Sequence, residues 1–194
     1  MDKLSYALGL SMAGNFVASG IRDLNVDDFA DGLRTVFGNA EKKMSFDEAK
    51  QIVTQYFTEL EQRGAQANEQ AGRDFLEKNK NAEGVHVTAS GLQYLVVKEG
   101  TGRKPTATSQ VKCHYEGTFP NGQVFDSSYK RGEPAVFGLN QVIKGWTEGL
   151  QLMAEGAKYE LYLPYNLAYG EQGAGGAIPP YSALKFVVEL IEVL

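Results

Sequence analysis

Two histidines, one cysteine and one glycine-rich stretch are the places where this 194-residue chain could do covalent, metal or phosphate chemistry. His86 and His114 neighbour no candidate serine, so a nucleophile with its base is not indicated and both read as surface histidines. Cys113 falls on the apolar side of an alternating run and reads as a small buried hydrophobe. A single cysteine forbids an internal disulfide, and two histidines cannot furnish a Cys/His zinc cage. The segment GEQGAGG (170–176) has the look of a phosphate loop, but IPP (178–180) follows it. A proline pair cannot open the helix whose N-terminus such a loop needs. A formal charge of −5 gives no electrostatic footprint for nucleic acid. No metal, nucleotide or other cofactor is expected.

What is left is aromatic. Thirteen of the 21 aromatic residues lie after residue 90, among few and scattered polar groups. That composition predicts a domain with an apolar pocket for a small molecule or peptide.

The elements that must position these residues follow from periodicity. Val111, Cys113, Tyr115, Gly117 and Phe119 alternate with Lys112, His114, Glu116 and Thr118, the pattern of a half-buried strand. Asn121 and Gly122 signal a tight hairpin, with 123–126 returning antiparallel. Leu92 to Lys98 reads as a further strand. Tyr159, Leu161 and Leu163 alternate with polar Lys158, Glu160 and Tyr162, and Leu184, Phe186, Val188 and Leu190 repeat the pattern. Only Val142 to Met153 reads as helical, with Trp146, Leu150 and Met153 on one face. An antiparallel sheet covered by one short helix is an α+β module.

All six prolines lie after residue 100, whereas residues 1–84 carry 10 basic and 14 acidic groups in helix-period sequence. The change places a boundary between residues 1–84 and 85–194. The N-terminal part reads as three helices. The first covers about Leu4 to Val17. The second is capped by Asn25, faces the core with Phe29, Leu33, Val36 and Phe37, and ends at Gly38. Ser45 and Glu48 form a capping box that opens the third. There Phe46, Ala49, Val53, Tyr56 and Leu60 make a coiled-coil-like seam, after which the stripe falls on Arg63, Ala67 and Ala71. The second half of that helix therefore reads as an uncovered stalk. About 60 residues bury too little to be comfortable alone, so two chains are expected to share the helical module as a homodimer.

Five motifs then follow one another in order: VKCHYEG (111–117), GQVFDSS (122–128), VIKGW (142–146), LAYG (167–170) and IPP (178–180). From about Ser90 to Leu194 the chain resembles the FKBP-type peptidyl-prolyl isomerases, and the helical part resembles their dimeric, macrophage-infectivity-potentiator-like branch. The resemblance implies an antiparallel sheet wrapped round a short helix, with a pocket between them. Carried over residue by residue, that pocket comprises Tyr115, Phe125, Asp126, Phe137, Val142, Ile143, Trp146, Tyr169, Ile178 and Phe186. Trp146 is its floor, and Arg131 holds the Asp126 carboxylate. It further implies that the Ile143 N–H and the Tyr169 hydroxyl bond carbonyls of the ligand. Expected partners are proline-containing polypeptide clients and macrolide inhibitors of the rapamycin type. The chain departs from the family pattern at Ala135, where a wall aromatic is common, and at Ala174, Gly175 and Ala177 in the loop before Ile178, where less side chain is expected to leave one rim of the pocket open.

Three activities are consistent with these features: an isomerase acting in protein folding, a chaperone-like binding module, and a dimerisation protein with a silent pocket. The full set of polar positions favours the first. No apolar run reaches the ~18 residues of a membrane span, and Leu4 to Ala18 is too interrupted for an export signal. The cytoplasm is therefore the expected compartment, or the periplasm if a leader has been removed.

Overall fold

The computed structural model describes residues 1–194, in two compact units, 1–61 and 62–194. Helices α1 (Lys3–Ala18) and α2 (Val26–Phe37) lie in the first, and α3 (Phe46–Asn79) runs from the first into the second. The period-two stretches become β2 (Gln93–Lys98), β3 (Gln110–Thr118), β4 (Val124–Ser127), β6 (Lys158–Leu163) and β7 (Leu184–Val193), and two short strands that no alternation marked, β1 (Val85–Val87) and β5 (Ala135–Gly138), join them. They form one antiparallel sheet in the order β1-β2-β6-β7-β3-β4, with β5 also pairing β3. Between them sit α4 (Ser128–Arg131) and α5 (Lys144–Leu152). No helix is long and apolar enough to cross a membrane.

The core lies where the inner face of the sheet meets α5. On β3 the burial alternates as expected, with Val111, Cys113, Tyr115 and Gly117 inward. Leu184, Phe186, Val188 and Leu190 of β7 share that face, and Trp146, Leu150 and Met153 press onto it from the helix. Fully burying one such leucine or valine contributes about 1.5–3 kcal/mol, which is why this face organises the unit.

The outer face departs from expectation. Instead of standing uncovered, the second half of α3 lies against the sheet and the loop before β7. Gly72 is buried there, and a Cβ at this position would come within 2.9 Å of Ala183 Cβ. Phe75 packs on Tyr162 with ring centroids 5.9 Å apart. Asn79 Nδ2 donates to Gln93 Oε1, and Gln93 Nε2 donates to the Leu76 carbonyl, each at 2.9 Å. Tyr162, expected on the polar face of its strand, is consequently buried. The compact units divide at Glu61/Gln62, within α3, whereas composition changes at 84/85.

In the first unit the N-terminal caps form, the Ser45–Glu48 box through its serine half. Asn25 Oδ1 accepts from the amides of Asp27 and Asp28, and Ser45 Oγ accepts from Glu48 N–H. Helix α2 ends at Gly38, but that glycine is right-handed and the left-handed residue is Asn39, with φ of 49°. The expected core face is covered only in part: Phe29 is half-buried with its ring edge-on to Phe16 at 5.5 Å, but no residue of α1 or α2 is fully buried, and Leu33, Val36, Phe37 and Val53 are exposed.

Candidate functional site

Strand alternation and the first turn of α5 converge on one indole. Trp146 is 4% exposed, and three rings meet it edge-on: Tyr115 of β3 at 5.1 Å, Phe137 of β5 at 5.3 Å and Phe186 of β7 at 5.3 Å. Phe125 of β4 stands at 88° to Phe186, 5.6 Å away. Edge-to-face packing of this kind fixes ring orientations beyond what burial alone does. Gly117 makes room for two of these rings. A Cβ there would come within 2.5 Å of Phe125 Cζ and 2.9 Å of Phe186 Cε1.

Together with Asp126, Gln141, Val142, Ile143 and Tyr169, these rings line a cavity of about 310 Å³. Nine of the residues expected from the motifs line it. Ile178 is instead buried beside it in the core, its carbonyl accepting from Ala174 N–H at 2.8 Å. Arg131 also lies outside the lining and reaches the cavity through Asp126.

The one carboxylate is held on both oxygens. The Tyr115 hydroxyl donates to Asp126 Oδ2, Arg131 Nη1 donates to Oδ1, and Arg131 Nη2 donates to the Tyr115 oxygen at 2.8 Å. Helix α4 presents the guanidinium, and left-handed Gly132 (φ 78°) turns the chain away immediately after it. Burial pushes the Asp126 carboxyl up, but the two hydrogen bonds and the guanidinium charge outweigh it and hold the group below its ordinary value. Burial, and then its bond to Asp126, raise the Tyr115 phenol. Burial and the Asp126 charge also raise Tyr169, which therefore stays protonated at neutral pH.

Two donors at the cavity are unspent. The Tyr169 hydroxyl bonds no protein group, and Ile143, the N-cap of α5, offers an N–H without an acceptor. Free amides are what a helix N-terminus leaves when the cap side chain cannot take them. A third donor, Trp146 Nε1, is buried and also lacks a partner. No serine or cysteine stands beside a base in the cavity, so the arrangement suits a small apolar ring flanked by hydrogen-bond acceptors.

Two contributors escaped the motif reading. Gln141 lines the cavity from the turn between β5 and α5, where no periodicity marks it. Ser128 is fully buried, and its Oγ accepts from Tyr115 N–H at 2.7 Å and donates to the Tyr115 carbonyl at 3.1 Å. His114, read as a surface residue, is half-buried, with Nδ1 3.0 Å from that same Oγ and its ring stacked on Tyr129 at 4.7 Å.

Comparison with known proteins covers both halves of the chain. The family described as FKBP-type peptidyl-prolyl cis-trans isomerase matches residues 101–191, and the domain amino terminal to FKBP-type peptidyl-prolyl isomerase matches residues 1–96. The isomerase FkpA of Aeromonas hydrophila is 43% identical, across 99% of this chain and 76% of its own. Outer membrane protein MIP of Legionella longbeachae is 40% identical, across 99% and 85%. The crystal structure of FkpA from Escherichia coli superposes with a TM-score of 0.84 at 36% identity, covering 98% of this chain and 92% of that one. The ring-lined cavity thus sits in a protein that belongs to the FKBP-type peptidyl-prolyl cis-trans isomerase family and accelerates rotation about X–Pro bonds.

Proposed function

We propose that the cavity over Trp146 receives the prolyl ring of a polypeptide and lowers the rotational barrier chiefly by withdrawing water from the imide. The barrier of ~18–20 kcal/mol comes from amide resonance. Twisting the bond destroys that resonance and with it much of the charge separation, so water stabilises the planar form more than the twisted one. Ring edges and faces offer no such preference. Every ~1.4 kcal/mol by which the site favours the twisted form is tenfold in rate, with no bond made or broken.

The polar groups position and bias. The Ile143 N–H and the Tyr169 hydroxyl donate to carbonyls of the bound chain. Asp126 has both oxygens engaged and acts by charge: its field disfavours the planar imide, in which the carbonyl oxygen is most negative. The cavity of about 310 Å³ lined by the rings of Tyr115, Phe137, Trp146 and Phe186 is the observation that carries this reading. Its test is the cis-to-trans relaxation of a proline-containing tetrapeptide. Acceleration abolished by a rapamycin-type macrolide supports it, and relaxation at the buffer rate refutes it.

The apolar residues left uncovered on α1, α2 and the first half of α3 support a homodimer sharing this helical module, with a chaperone-like grip on clients as its second role. On compartment, a plain cytoplasmic location does not fit a relative named as an outer membrane protein. The periplasmic alternative is the one to test first: release by osmotic shock of native cells supports it, and retention with cytosolic markers refutes it.

A further inference from the structure

A second groove, of about 340 Å³, lies on the other side of Phe119 from the prolyl cavity. Asn68 and Ala71 of α3 form one wall, Phe119, Asn121 and Gln123 of the β3–β4 turn another, and the 177–183 loop the third. Phe119 joins the two sites. It lines the groove, and its ring packs on Phe125 of the prolyl cavity at 5.1 Å.

Three features say what the groove is built to take. None of its lining residues is charged. Its polar side chains are chiefly carboxamides, which carry the same donors and acceptor as a peptide group. Some of that capacity is spent internally, since Asn68 Nδ2 donates to the Pro180 carbonyl at 3.0 Å and Asn121 Oδ1 accepts from Gln123 N–H at 2.9 Å. Asn68 Oδ1, Asn121 Nδ2 and the Gln123 carboxamide remain. Finally, the loop wall is held under strain. Tyr181, between Pro180 and Ser182, adopts φ of 57°, pinned by its N–H on the Gly170 carbonyl and its ring on Tyr165. A non-glycine residue keeps that conformation only where its surroundings over-determine it.

We infer that this groove binds the uncharged, extended segment of a client chain that flanks the proline held over Trp146. The inference rests on the isomerase reading above and adds a second contact site for the same substrate. It makes the enzyme prefer long, unfolded chains over short peptides, reading backbone rather than particular side chains.

The test compares kcat/KM of the full-length protein on three peptides: a prolyl tetrapeptide, and the same peptide lengthened by six uncharged residues before or after it. Six extended residues reach ~20 Å, enough to pass Phe119. One of the two long peptides is expected to exceed the tetrapeptide about fivefold or more, through a lower KM. Ala71→Trp, which fills the groove from the surface of α3, is expected to return that ratio towards one, and Gln123→Ala to reduce it in part. Equal kcat/KM on all three peptides would overturn the proposal, as would a ratio that survives Ala71→Trp in a variant of unchanged circular dichroism. The tetrapeptide values test the isomerase reading by themselves, and the ratio tests the groove.

Discussion

Asp126 meets two donors of different kinds, and its chemistry follows from that pairing. With its carboxyl held below the ordinary range and the Tyr169 phenol above its own, neither group changes charge in mid-range. We therefore expect kcat/KM to be flat between about pH 5 and 9. Asp126→Ala should lower kcat/KM about tenfold while leaving the fold intact, checked by tetrapeptide assay and thermal melt. A depressed folded-state pKa contributes stability that is complete above the unfolded value of ~3.9 and is lost as pH falls through the folded one. The melting difference between wild type and Asp126→Asn should accordingly be widest above about pH 4 and close at lower pH. It will be small, because 40% of the Asp126 side chain is exposed and solvent screens the pair. The aromatic lining was legible because alternation assigns Tyr115 and Phe186 to the inner face. The Tyr115–Asp126–Arg131 triangle was legible only in part, since hydrogen bonding between β3 and α4 depends on register.

At the scale of elements, the site depends on how closely β3 can approach two rings. Gly117→Ala places a methyl against Phe125 and Phe186, and forcing such a group into a packed core costs typically about 1–3 kcal/mol. Its urea midpoint should fall accordingly, and tetrapeptide turnover should fall more than tenfold as the cavity walls shift. A second element, α3, packs in its C-terminal half where its periodicity predicts an uncovered stalk. Its buried face is built from Gly72, Phe75, Leu76 and Asn79, in which glycine and asparagine stand where a hydrophobic stripe is sought. Hydrophobic periodicity sees large apolar side chains, whereas this contact uses the absence of one. Phe75→Ala should destabilise the protein by about 1–3 kcal/mol, read by chemical denaturation, with little effect on tetrapeptide kcat.

For the whole molecule, the division of labour is sharp. Every residue lining the cavity over Trp146 lies in the unit 62–194, while the other unit exposes much of its apolar surface. Exposed Val36 and Phe37 on α2 mark a face that water does not favour. If a second copy covers it, Val36→Asp should shift the protein from dimer to monomer in sedimentation equilibrium, leaving turnover per chain on a tetrapeptide within about twofold. An unshifted dimer would place the interface elsewhere.

Local order was written in the chain: the five strands that alternation marked, the caps at Asn25 and Ser45, the turn at Gly122 and the succession of motifs round the pocket. These depend on near neighbours and on the period of one element, which a linear pattern carries. Tertiary structure alone decided that α3 lies on the outer face of the sheet, that Ser128 pins the backbone of Tyr115, and that Gln141 joins the lining. Each is a fit between surfaces distant in the chain, where shape and hydrogen-bond register select the partner and hydrophobicity does not.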